Sequence, residues 1–160
     1  MLSMPSQQFK TARSHEEPFA VQFSIFLANR VGQLKELLDV LAERRVQVLG
    51  MSVVDSTDWA VIRAVLSDPN KARELLKSRS LPFTESPVLL VHLTDANALS
   101  EVCAILLRAE VNVHFAYPLL IRREEGAVMV LHVDDKVIAT HALTNHGFVL
   151  LGEEDITDPA

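Results

Sequence analysis

An α+β fold built from two tandem βαββαβ units is what this sequence predicts, and three observations carry it. Apolar spacing switches along the chain from a period of two to a period of about 3.6 and back, as strands alternate with amphipathic helices. The order strand, helix, strand, strand, helix, strand is read once up to residue 86 and again from residue 87. The stretch IFLANRVGQLKELLDVLAERRVQV, starting at Ile25, also returns without a gap as LLVHLTDANALSEVCAILLRAEVNV, so that Leu99, Val102, Cys103 and Leu106 restate Leu34, Leu37, Leu38 and Leu41. Self-similarity at this period points to duplication of one supersecondary unit, and each copy leaves one sheet face bare unless something covers it.

In chain order, Val21, Phe23, Ile25 and Leu27 alternate with polar residues and form the first strand. After a turn from Asn29 to Gly32, the Leu34, Leu37, Leu38, Leu41 stripe makes a helix that ends near Arg44 and Arg45, whose charges suit a helix carboxyl end. VQVLGMSVVD and WAVIRAVL, separated by a turn at 56–58, form a β-branched hairpin. Asp68-Pro69 opens a second helix running to Ser78, with Asp as cap and Pro at the first helical position. LPFTES is a short fourth strand broken at Pro87. The second copy continues with strands at 113–121 and 127–133 around the turn RREEG, a weaker helix over 135–145 capped by Gly147, and FVLLG as the last strand. This divides the chain into a tail over 1–18, a first repeat over 19–86, a second over 87–153 and a tail over 154–160.

The chain has 160 residues, 49% of them hydrophobic, enough for one domain with a real core. A formal net charge of −6, with no local run of Lys and Arg, removes the electrostatic footprint of a nucleic-acid binder. Neither a signal-peptide core nor a charge-free apolar run of membrane-spanning length is present, and a lone Cys103 gives no disulfide framework, so a cytoplasmic protein with no membrane partner is expected.

SIFLANRVGQLKELLDVLAERRVQVLGMSV and VIRAVLSDPNKARELL resemble the ACT domain, a small ligand-sensing module, and two tandem copies over roughly residues 20–152 resemble the small stand-alone tandem-ACT proteins. The resemblance implies a ferredoxin-like sheet with helices on one face, sheets joined side by side, and amino-acid binding near the first strand-to-helix loop. It places a ligand at Asn29, Arg30, Val31, Gly32, Gln33 and Leu34, with Val31 where the family has Pro. A glycine at a helix mouth costs roughly 0.5–1 kcal/mol against alanine, which suggests a turn, a close contact or an approaching ligand. Backbone N–H groups near Gly32 could hold the carboxylate, and the Asn29 amide could bridge carboxylate and ammonium. Met51, Ser52 and Val53 are the expected facing surface. The second copy carries Asp95, Ala96, Asn97 and Leu99 at the loop, with Asn97 where Gly32 stands, and Tyr117 on the strand matching the facing surface; it is the weaker site. The implied function is a non-catalytic amino-acid sensor, working as a homodimer or on an enzyme or regulator in trans, with no cofactor.

Other readings stay open beside this one. The regulatory subunit of acetolactate synthase is of similar size and begins with an ACT domain; a purely structural dimerisation module needs no ligand; and Arg30 beside Gly32 faintly resembles the phosphate-cradling loop of acylphosphatases. His92, His114 and His132 fall on three strands of the second copy, but no short His-x-His spacing supports a metal site. Cys103 is expected to be buried packing and Trp59 core or interface filling.

Overall fold

Period-two and period-3.6 segments become strands and helices in the places their spacing dictates. The computed structural model describes residues 18–28, 30–121 and 126–157. The first repeat consists of β1 (Ala20–Ala28), α1 (Gln33–Glu43), β2 (Val48–Asp55), β3 (Trp59–Leu66), α2 (Pro69–Ser78) and the first part of β4 (Phe83–Leu93). The second takes the rest of β4, then α3 (Asn97–Arg108), β5 (Val113–Pro118), β6 (Ala127–Val133), α4 (Lys136–Asn145) and β7 (Leu150–Leu151), and is followed by α5 (Glu153–Thr157). The expected tail over 1–18 lies outside the described residues except for Pro18, which is buried, and so do Asn29 and most of the RREEG turn.

The duplication is visible in devices that do not depend on apolar spacing. Asp68 and Asp135 cap α2 and α4 by accepting from Lys71 N and Ile138 N, each at 3.0 Å. Helices α1, α2, α3 and α4 all end in a left-handed residue, Arg45, Ser80, Glu110 and Gly147. The residue after each, Val46, Leu81, Val111 and Phe148, returns its N–H to the carbonyl five residues back, on Leu41, Leu76, Leu106 and Leu143, at 2.9–3.1 Å. This is the Schellman termination, and its apolar contact brings each of those residues onto a core. β2 and β5 each carry an irregularity at matching places, Val48/Gly50 and Val113/Phe115.

Sheet order β2-β3-β1-β4-β6-β5, with β7 also on β4, is antiparallel throughout. The break expected at Pro87 does not occur. β4 runs unbroken for 11 residues, pairing with β1 through Val88 and with β6 from Leu89 onward, so the repeats share one strand and no linker separates them. Pro87 is tolerated because its missing N–H falls where β4 is paired along one edge only.

Odd-numbered residues of β1 and β4 face the helices. Phe23, Ile25 and Leu27 pack with Leu37, Leu41 and Leu76, and Leu89, Val91 and Leu93 pack with Val102, Leu106 and Leu143. The opposite face makes a third core, because the sheet curls until its two ends meet. Leu120 N donates to Leu49 O at 2.6 Å, and Val65, Leu90, Val128 and Val130 become fully buried inside the curl. That contact needs Gly50: a Cβ there would lie 2.7 Å from Leu119 Cδ2 and 3.2 Å from Pro118 O. The stretch expected as a tail from residue 154 is instead part of α5. Its Ile156 enters the third core, and Glu153 Oε2 accepts from Val21 N at 2.8 Å. Burial pushes the Glu153 carboxyl above its ordinary range, with the Val21 bond opposing.

Two substitutions test these constraints in opposite directions. Gly50→Val, which forces β2 off β5, is expected to destabilise by about 1–3 kcal/mol. Glu110→Gly, which relieves a left-handed non-glycine residue, is expected to stabilise by about 1 kcal/mol and raise Tm by roughly 2–4 °C. Thermal melts of the two variants beside the parent decide both.

Candidate functional site

Gly32 answers to the backbone. It stands at the N-cap of α1 with φ +89°, and a Cβ placed on it would meet nothing within 4 Å. The glycine therefore makes a left-handed turn, and the space beside it is open. Gly32 O accepts from Glu36 N at 3.0 Å to start the helix, and no side chain at the N-cap caps it. Arg30 is exposed, Val31 is fully exposed, and Asn29 lies outside the described residues.

Next to this turn is a cavity of about 180 Å³. Its apolar floor is Leu27 from β1, Leu37 and Val40 from α1, and Leu81 from the exit of α2. Its polar rim is Gln33, Glu36 and Arg79. Gln33 Nε2 donates to Glu36 Oε2 at 3.3 Å, and Arg79 is held only loosely, 3.8 Å from Glu43 across exposed surface. The rim thus offers a carboxylate, an amide and a forked guanidinium over a hydrophobic base.

The second repeat has the matching hollow, about 300 Å³, lined by His92, Thr94, Asp95, Asn97, Ala98, Glu101, His146, Gly147, Phe148 and Val149. Glu101 stands where Glu36 does, and His146, the residue that closes α4, stands where Arg79 closes α2. Asp95 fills its own helix mouth, accepting from Asn97 N at 2.8 Å and Ala98 N at 3.0 Å. The gapless alignment fails here, since four residues separate β1 from α1 but three separate β4 from α3. The left-handed step is deleted. Asn97 is the first residue of α3 and not a counterpart of Gly32.

The structure brings Gln33 and Leu34 to the Gly32 turn but scatters the expected facing surface. β3 lies between β2 and β1; Met51 packs under the helices, Ser52 is on the other face, and Val53 is 46% exposed. Tyr117 is buried inside the curl, donating its hydroxyl to Gln22 Oε1 at 2.6 Å, and burial raises its pKa. Leu99 is exposed on α3, as is Cys103, which the stripe had put in the core; the buried face of α3 is Ala98, Val102, Ile105 and Leu106. Trp59 is likewise 51% exposed at the tip of the β2–β3 hairpin. Arg79 and Leu81 escape the sequence reading because no local spacing links α1 to the end of α2, and Glu36 lies on α1 just past the loop. Among the described residues no three His, Cys, Asp or Glu side chains stand together as metal ligands, and no helix is long and apolar enough to cross a membrane.

Two ferredoxin-like repeats are joined through one strand, each with a hollow at its first helix mouth. A family model for the ACT domain pair matches residues 19–158, and the chain belongs to that family. The fold agrees with protein BT0572 from Bacteroides thetaiotaomicron, at TM-score 0.80 and 24% identity over 88% of this chain and 96% of that one. It also agrees with the regulatory subunit of aspartate kinase from Thermus thermophilus, at TM-score 0.57 and 12% identity over 81% and 93%. The corresponding subunit from Thermus flavus gives TM-score 0.52 and 16% identity over 79% and 91%. No curated protein matches the sequence.

The Asp95 cap gives a direct check on how the two helix mouths differ. Asp95→Ala is expected to cost about 0.5–2 kcal/mol by freeing two N–H groups of α3. Chemical denaturation of the variant measures it.

Proposed function

We propose that the protein is a regulatory module that senses a free amino acid in the first-repeat cavity and acts on an enzyme or regulator in trans. The observation that carries this reading is the rim itself. Glu36 and Arg79 present opposite charges over an apolar floor, which is the complement of a zwitterion with a hydrophobic side chain. Arg79 and the positive end of α1 at Gly32–Leu34 take the carboxylate, Glu36 takes the ammonium, and Leu27, Leu37, Val40 and Leu81 take the side chain. At about 180 Å³ the cavity is smaller than the roughly 300–1,000 Å³ of sites that take drug-sized ligands, which favours an amino acid over a nucleotide. In the second repeat Asp95 already occupies the helix mouth with negative charge, which disfavours a carboxylate there and supports the first repeat as the stronger site. The regulatory subunits of aspartate kinase from Thermus thermophilus and Thermus flavus, which share this fold, support that role. A homodimer belongs to the same proposal, and solution mass by light scattering checks it.

A thermal-shift panel of the amino acids tests the reading. A ligand at about a hundred times its Kd stabilises by about 2.7 kcal/mol, roughly 5–10 °C here. The shift is expected for one or a few apolar amino acids and is expected to vanish in Glu36→Gln and Arg79→Gln, whose side chains are exposed and leave the core intact. A panel in which nothing moves the transition would remove the sensing role.

A further inference from the structure

Inside the curl, on the face away from the helices, stands a cationic cluster that neither the loop cavity nor the third core accounts for. Across the sheet, Thr84 of β4 is opposite Ser24 of β1, Ser24 is opposite Arg63 of β3, and Arg63 is opposite Ser52 of β2. Directly opposed residues share a face with Cβ atoms about 4.5–5.5 Å apart, so Ser24 and Ser52 flank Arg63 in one row and Thr84 continues it one strand further out. The second repeat lays its aromatic rings against that row. Arg63 Cζ lies 3.9 Å from the Phe115 ring centre, the His132 ring stacks on Phe115 at 4.7 Å, and the His114 ring is 5.4 Å from His132.

Charge and hydrogen bonding are both left unbalanced there. Among the described residues no carboxylate pairs with Arg63, His114 or His132, in a chain whose formal net charge is −6. His132 Nδ1 is buried with no hydrogen-bond partner. Burial first, then repulsion from His114 and Arg63, holds the His132 imidazole below its ordinary pKa. A buried polar atom without a partner and adjacent like charges both carry a cost that an anion would relieve. The cation–π contact alone explains Arg63 and Phe115, but not the two imidazole rings that follow them, one stacked on Phe115 and the other beside it.

We propose that this cluster is a second ligand site, independent of the loop cavity, that takes the oxyanion of a small molecule, a carboxylate or a phosphate, between the two repeats. Arg63 supplies a fork of N–H donors, Ser24 and Ser52 supply hydroxyls, and the two histidines supply N–H when protonated. The charged or titratable groups in contact within the cluster are Arg63 from β3, His114 and Tyr117 from β5 and His132 from β6, and Tyr117 keeps its proton, bonded to Gln22. An anion stabilises the imidazolium form of His132, so binding strengthens as pH falls.

The imidazole proton resonances of the full chain, with the His132 signal assigned through His132→Phe, report the site while the protein is titrated with inorganic phosphate or with succinate. At about pH 6 a saturable movement of His114 and His132 is expected with at least one anion, weakening about tenfold by about pH 8. A response to phosphate alone identifies a phosphate ligand, and one to succinate alone a carboxylate. Arg63→Gln is expected to weaken binding about tenfold or more, while Gly32→Val leaves it unchanged, which separates this site from the loop cavity. Histidine signals indifferent to both anions in the parent protein overturn the proposal, as does undiminished binding by folded Arg63→Gln.

Discussion

Helices cover only one face of each repeat's sheet, and the other face carries Val65, Leu90, Val128 and Val130, so these must be hidden by bringing the two halves of the sheet around to face each other. Much of the rest follows from that requirement. β4 has to be continuous so that one strand serves both halves, Gly50 has to lack a side chain so that β2 can reach β5, and α5 has to fold back so that Ile156 closes the apolar interior. The curl is apolar around Leu49, Val65, Leu90 and Val130 and polar where Ser24, Arg63 and His132 stand, and it gives each repeat a partner surface that neither would possess alone.

The sequence was legible wherever a rule acts over a few residues. The helices, the Asp68-Pro69 start and the order of strands all lie on local spacing, and they are where that spacing puts them. It was illegible where the reason sits far along the chain. Pro87 looks like a breaker because its neighbours in sequence do not show that β4 is paired on a single edge at that point. Two glycines make the contrast plain. Gly32 interrupts an apolar pattern, and its need is local, a left-handed turn; Gly50 lies within a strand, and its need comes from Leu119. Cys103 was placed in the core because a stripe of four apolar positions is wider than the face that α3 buries.

At the candidate site, the Gly32 turn is legible in the sequence and the chamber beside it is not. Gly32, Gln33 and Leu34 belong to a contiguous motif, whereas Arg79 and Leu81 arrive from the far end of α2. The two helix mouths differ, but not through the residue that the sequence alignment sets opposite Gly32. Asn97 does not occupy the space of a missing glycine; a one-residue deletion removes the turn, and Asp95 then satisfies the helix mouth from within. Duplication has kept the frame and let the two mouths acquire different chemistry.

The continuity of β4 reaches beyond geometry. A cut between units that share a strand divides a strand and not a linker: severed near residue 87, one fragment would keep a sheet whose inner face is open to water, and the other would begin inside its own central strand. The smallest piece of this chain that keeps its inner face dry is therefore the pair.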